Sequence, residues 1–103
     1  MKRYTVMVTE PAEDDLRDIS DYIASLLQAP QAALRFLNHV DKVLQSLEEI
    51  PERCPLVQHE KLAIQGYRWI KIGNYVAFFR IRADALVVVD RVLYQKQNWI
   101  GLL

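Results

Sequence analysis

The chain has 103 residues, about half of them hydrophobic, and no net charge; that suits one small core and excludes a disordered chain. Its longest unbroken apolar runs, Tyr75 to Phe79 and Ala85 to Val89, are too short to cross a bilayer. The neutral total hides a polarity: residues 1–51 carry five Lys or Arg against nine Asp or Glu, net −4, and residues 52–103 carry eight against four, net +4.

In chain order, Met1-Lys2-Arg3 leads to an acid before any signal-peptide core develops, so no secretory signal is expected. Arg3 to Val8 alternates Tyr4, Val6 and Val8 with Arg3, Thr5 and Met7, the period of a strand. Thr9, Glu10 and Pro11 followed by "AEDDL" start a helix: a hydroxyl cap, a proline in the first turn, and acids at the positive end of the dipole. Helix initiation accounts for those acids without a carboxylate active site. Ala12, Leu16, Ile19, Ile23 and Leu26 form one apolar stripe, widened by Tyr22. Pro30 opens a second helix with Ala33, Leu37, Val40, Leu44 and Leu47 in the same rhythm, and Ile50-Pro51 closes it. The two helices are expected to lie antiparallel. Pro51 to Gln65 reads as a loop. Three strands follow, Tyr67 to Ile72, Tyr75 to Arg82 and Leu86 to Tyr94, with turns at Gly73-Asn74 and at Ala83 to Ala85. The tail "QKQNWIGLL" carries no pattern that assigns it.

The fold expected is α+β, in the order β-α-α-β-β-β: one antiparallel sheet with a helical hairpin packed on one face. The last two strands are apolar on both faces. Tyr75, Ala77, Phe79 and Ile81 oppose Val76 and Phe78; Val87, Val89 and Leu93 oppose Leu86, Val88 and Val92. A helical hairpin covers one face only, so the second is expected to be covered by another chain in preference to the loop or tail. Asp90 and Arg91, being adjacent, should face opposite ways. The single Cys54 cannot form an internal disulfide, which suggests a reduced, cytoplasmic setting. His39 and His59 have no metal-ligand spacing, and neither metal nor cofactor is implied. Trp69 and Trp99 are weighed as base-stacking platforms and read as core or interface aromatics.

Four stretches in this order, "TEPAEDDLRDISDYI", "LEEIPERCPLV", "GYRWIKIGNYVAFFRI" and "VVVDRVLYQKQNW", resemble the RelE/ParE toxin superfamily of type II toxin–antitoxin modules. The resemblance covers nearly the whole chain and implies one toxin domain over residues 1–103. It implies a cytoplasmic toxin of a plasmid-stabilising or addiction module, held in a hetero-oligomer by a cognate antitoxin that wraps it with a helix and an extended segment. The target would be the ribosome, in the branch that cuts messenger RNA, or DNA gyrase, in the branch that poisons it; no membrane is involved. "DISDYI" and the long acidic first helix resemble the ParE branch more.

Cutting RNA through its own 2′-hydroxyl needs a base, cations for the phosphorane and a donor for the leaving oxygen. The resemblance implies Arg68, Lys71, Tyr94 and Lys96 as the candidate set of a ribonuclease. It also implies an arginine directly after Tyr75, where this chain has Val76. Losing such a donor costs about 3–4 kcal/mol, or a hundred- to a thousandfold in rate. Arg80 and Arg82 stand about 13 and 20 Å along the strand from Val76, too far to replace it. The reading preferred is therefore a toxin that binds without cutting and presents Arg68, Lys71, Arg80, Arg82, Arg91, Lys96 and Trp99 to its target or antitoxin. A ribosome-dependent endoribonuclease is the alternative, and a degenerate, non-toxic copy the third reading.

Overall fold

The computed structural model describes residues 3–103. Thr5–Val8 forms β1, with Val6 and Val8 turned inward and Thr5 and Met7 exposed. The Thr9 hydroxyl accepts the Ala12 N–H at 3.3 Å and caps helix α1, Glu10–Asp21. The helix then opens into a π-helical turn, Tyr22–Leu26, with Leu27 N–H donating to the Tyr22 carbonyl at 3.1 Å. One wide turn breaks the phase of the apolar stripe. Leu26 and Tyr22, expected on that stripe, are exposed by 74% and 48%.

Helix α2, Pro30–Ser46, keeps its stripe, burying Ala33 and Val40. Its carboxyl end is gathered by Arg53, whose guanidinium donates to the carbonyls of Ser46, Glu49 and Ile50 and to the Ser46 hydroxyl at 2.9–3.3 Å. Ile50 holds a left-handed φ of 48° on the way into a 3-10 turn, Pro51–Arg53. The segment read as loop contains a further short helix, α3, Glu60–Ile64, capped where His59 Nδ1 accepts the Leu62 N–H. Five residues give no period to read.

Strands β2 (Arg68–Ile72), β3 (Tyr75–Arg82) and β4 (Leu86–Tyr94) form the expected meander. Gly73 takes φ 60° at the first turn. The strand order is β1-β4-β3-β2, and β1 runs parallel to β4, so the sheet is mixed where an antiparallel one was expected. The two helices between β1 and the meander make the crossover that a parallel pair requires.

One core lies between helices and sheet: Ala12, Val40, Leu47, Ile72, Ala77, Phe79, Val87, Val89 and Val92 are all at most 2% exposed. The opposite face carries Val57, Leu62, Tyr67, Phe78 and Leu93, with Val76, Trp99 and Leu103 against them. Part of this face, expected to be covered by another chain, is covered by the chain itself: the 51–66 segment supplies Val57 and Leu62, and the tail, with a 3-10 turn at Ile100–Leu102, supplies Trp99 and Leu103. A bulge explains why β4 was misread beyond its middle. Phe78 pairs with Arg91 and Phe79 with Val89, leaving Asp90 as an extra residue. The insertion exchanges the two faces after it. Val92 joins the helix-side core and Leu93 the opposite cluster.

Candidate functional site

On the face away from the helices, the 54–58 segment, hydrogen-bonded along the outer edge of β2, borders a groove of about 460 Å³. Its lining is Pro55, Leu56, Val57 and Gln58 from the segment, Trp69 and Lys71 from β2, Val76 and Phe78 from β3, and Gln95 and Trp99 beyond β4. Lys71 and Val76 are cross-strand partners, so both project into the groove from adjacent strands. Trp99 lies on Phe78 with ring centroids 5.2 Å apart and closes one side. Among the described residues Lys71 is the one charged group in the lining, and neither carboxylate nor imidazole joins it. The groove can take an apolar or aromatic group beside an acceptor for an ammonium.

The residues proposed from sequence fall into three groups. Arg68 is bound internally, donating to the carbonyls of Cys54 at 2.6 Å and Glu52 at 3.2 Å and so pinning the segment that walls the groove. Arg80 makes a two-pronged pair with Asp90 at 2.8 and 2.9 Å and lies over the Tyr67 ring at 4.9 Å. Arg91 makes another with Asp15 at 2.7 and 2.8 Å and donates to the Leu102 carbonyl. Hydrogen bonding to the carboxylates, opposed in part by burial, raises the pKa of both these guanidiniums. Three of the seven binding candidates therefore already serve the fold.

Lys71, Arg82 and Lys96 are exposed and have no ion pair among the described residues. Trp99 lines the groove. Tyr94 is elsewhere: it pairs with Tyr75, whose ring it meets edge-on at 5.8 Å, and Tyr75 in turn meets Phe36 of α2 at 5.2 Å. That places the phenol on the helix side of the sheet, opposite to Lys71. Sequence reasoning did not find Leu56, Gln58 and Gln95 in the lining. They lie in patternless segments, and only the pinning of those segments brings them there.

Asp15 also escaped a reading that assigned the first acids to helix initiation. Beyond the end of β1 its carboxylate takes both the Arg91 guanidinium and the Val92 N–H, at 3.0 Å. It covers the edge of β4 that β1 leaves bare, and ties that edge to α1.

Comparison with known proteins agrees with this fold. No curated protein matches the chain. The chain aligns over 91% of its length with 98% of a chain in the chromosomal ParDE TA system from P. aeruginosa, at TM-score 0.74 and 19% identity. It aligns over 89% with 98% of a chain in the toxin–antitoxin complex RelBE2 from Mycobacterium tuberculosis, at TM-score 0.61 and 23% identity. At such identities the likeness is one of fold. The family model described as ParE toxin of type II toxin-antitoxin system, parDE, matches residues 6–99. The chain is therefore a member of the ParE toxin family of type II toxin–antitoxin modules.

Proposed function

We propose that this toxin arrests growth by binding its target, DNA gyrase, without cutting RNA, and that a cognate antitoxin neutralises it within a plasmid-stabilising addiction module. The observation that supports this most is the composition of the groove. At the position where a cleaving relative would offer a guanidinium stands Val76, with Lys71 as the sole ionisable group in the groove's lining among the described residues. A valine supplies neither the charge nor the forked donors that a phosphorane needs. Tyr94 of the candidate ribonuclease set lies across the sheet, and Arg68 is spent on backbone carbonyls. Lys71, Arg82 and Lys96 remain as exposed cations in the positive half of the sequence, a distribution suited to an acidic or DNA-bound protein surface.

The test is gyrase supercoiling by purified toxin. Inhibition that antitoxin relieves is expected; full supercoiling at a large molar excess of toxin would remove gyrase as the target.

A further inference from the structure

The two tryptophans of the chain, distant in sequence, meet in the groove of Lys71 and Val76. Side chains alternate along a strand, so Trp69 and Lys71 share one face of β2, and Phe78 and Val76 the same face of β3. The register sets Trp69 opposite Phe78 and Lys71 opposite Val76. The groove floor is therefore two rungs, one of rings and one with the ammonium, about 7 Å apart. Trp99 lies on Phe78 at 5.2 Å with the planes 34° apart, which adds a third ring to the first rung. Gln95, whose N–H donates to the Asn74 carbonyl at 3.0 Å, stands by the hairpin turn beyond the second rung, and the exposed Lys96 follows it in sequence.

These rings are not sealed in the core. Trp69 is 36% exposed and Leu56, on the neighbouring segment, 42%. A planar apolar group entering here finds faces to stack on, and an anion about 7 Å farther along finds Lys71. The anion suited to that end carries a single charge. The lining offers one ammonium and no guanidinium fork of the kind that grips a phosphate dianion. A carboxylate matches it. In an extended peptide, side chains two residues apart project on one side about 7 Å from each other, the separation of the rungs. The side-chain amides of Gln58 and Gln95, also in the lining, can donate to and accept from the backbone of such a peptide.

We propose that the groove reads a short extended segment of the target, an aromatic residue with an aspartate or glutamate two residues away. The ring sits among Trp69, Phe78 and Trp99, and the carboxylate on Lys71. The proposal rests on the gyrase reading in taking a gyrase segment as the occupant. Acetyl-Phe-Ala-Glu-amide is titrated into the intact toxin while the indole N–H signals of Trp69 and Trp99 are followed by NMR, with acetyl-Phe-Ala-Gln-amide and adenosine monophosphate run beside it. The acidic peptide is expected to move both signals and to bind about fivefold more tightly than the glutamine peptide. Lys71→Ala should erase that preference and leave the indole spectrum of the free toxin in place, which a loss of folding would not. At saturation the acidic peptide should also relieve the toxin's inhibition of supercoiling.

Equal binding of the two peptides, no binding, or a preference that survives Lys71→Ala overturns the proposal. So does tighter binding of adenosine monophosphate, which would make the occupant a nucleotide. A toxin saturated with the acidic peptide that still inhibits supercoiling overturns the proposal and leaves the gyrase reading standing. A toxin that by itself leaves supercoiling untouched removes both.

Discussion

Lys71 and Val76 oppose each other directly across β2 and β3, and both side chains line the same groove. The pair sets one ammonium against an aliphatic wall, an arrangement suited to a negative group beside an apolar one and lacking the forked donors that a guanidinium would offer a phosphoryl group. Tyr94 belongs to the other side of the sheet, its ring edge-on to Tyr75.

From this division, Lys71→Glu should weaken target inhibition and growth arrest about tenfold, because it reverses the charge that Lys71 brings to the groove. Lys71 is exposed, so folding stability should stay within about 0.5 kcal/mol of the parent. Tyr94→Phe keeps the ring contact and should leave inhibition unchanged. Dose–response in the supercoiling assay and colony counts after induction measure both. A strong loss with Tyr94→Phe alone would contradict the assignment of the two faces.

Asp15→Ala should be among the more destabilising polar substitutions, costing about 2–4 kcal/mol. It strands the partly buried Arg91 and removes the acceptor for Val92 N–H. Asp15→Asn keeps an acceptor oxygen and should lose about half as much. Urea unfolding of the three proteins checks the order.

Ile50→Asn should stabilise the chain by about 0.5–1 kcal/mol. A β-branched residue is poorly suited to φ 48°, and asparagine tolerates that region. The isoleucine side chain is 64% exposed, so little burial is lost. The shift in thermal midpoint reads the effect.

Stability should decline at alkaline pH. The Cys54 thiol is pushed above its ordinary 9.0 by burial, against the pull of Arg53 and Arg68. The Tyr75 phenol is pushed above 10.0 chiefly by burial, and Tyr4 by its hydrogen bond to the Glu52 carboxylate. Each folded value lies above the unfolded one, so the neutral form stabilises the fold fully below the unfolded value. That contribution is lost as pH rises through the raised folded values. Urea midpoints from these groups should be level from pH 7 to about 8.5 and fall above about pH 9. Tyr4→Phe should flatten the upper part of the decline.

Strands β1, β2 and β3 and helix α2 were legible because each keeps one period from end to end. Leu26 was misplaced because a π-helical turn, which propensity does not announce, rotates the stripe under it. The far end of β4 was misread because one extra residue, Asp90, exchanges the faces while leaving the apolar pattern unbroken. The site suffered most from long-range pairing. Arg80 and Arg91 look like free cations in sequence, and their partners lie 10 and 76 residues away. What the sequence did carry was the position of Val76 beside Lys71, since a two-residue hairpin turn fixes that register by itself.

The central claim is tested most directly by adding the purified toxin to a translating extract and mapping the message's ends at codon resolution. The account predicts message as intact as in the untreated extract. Cuts at specific codons that vanish with Lys71→Ala would contradict it.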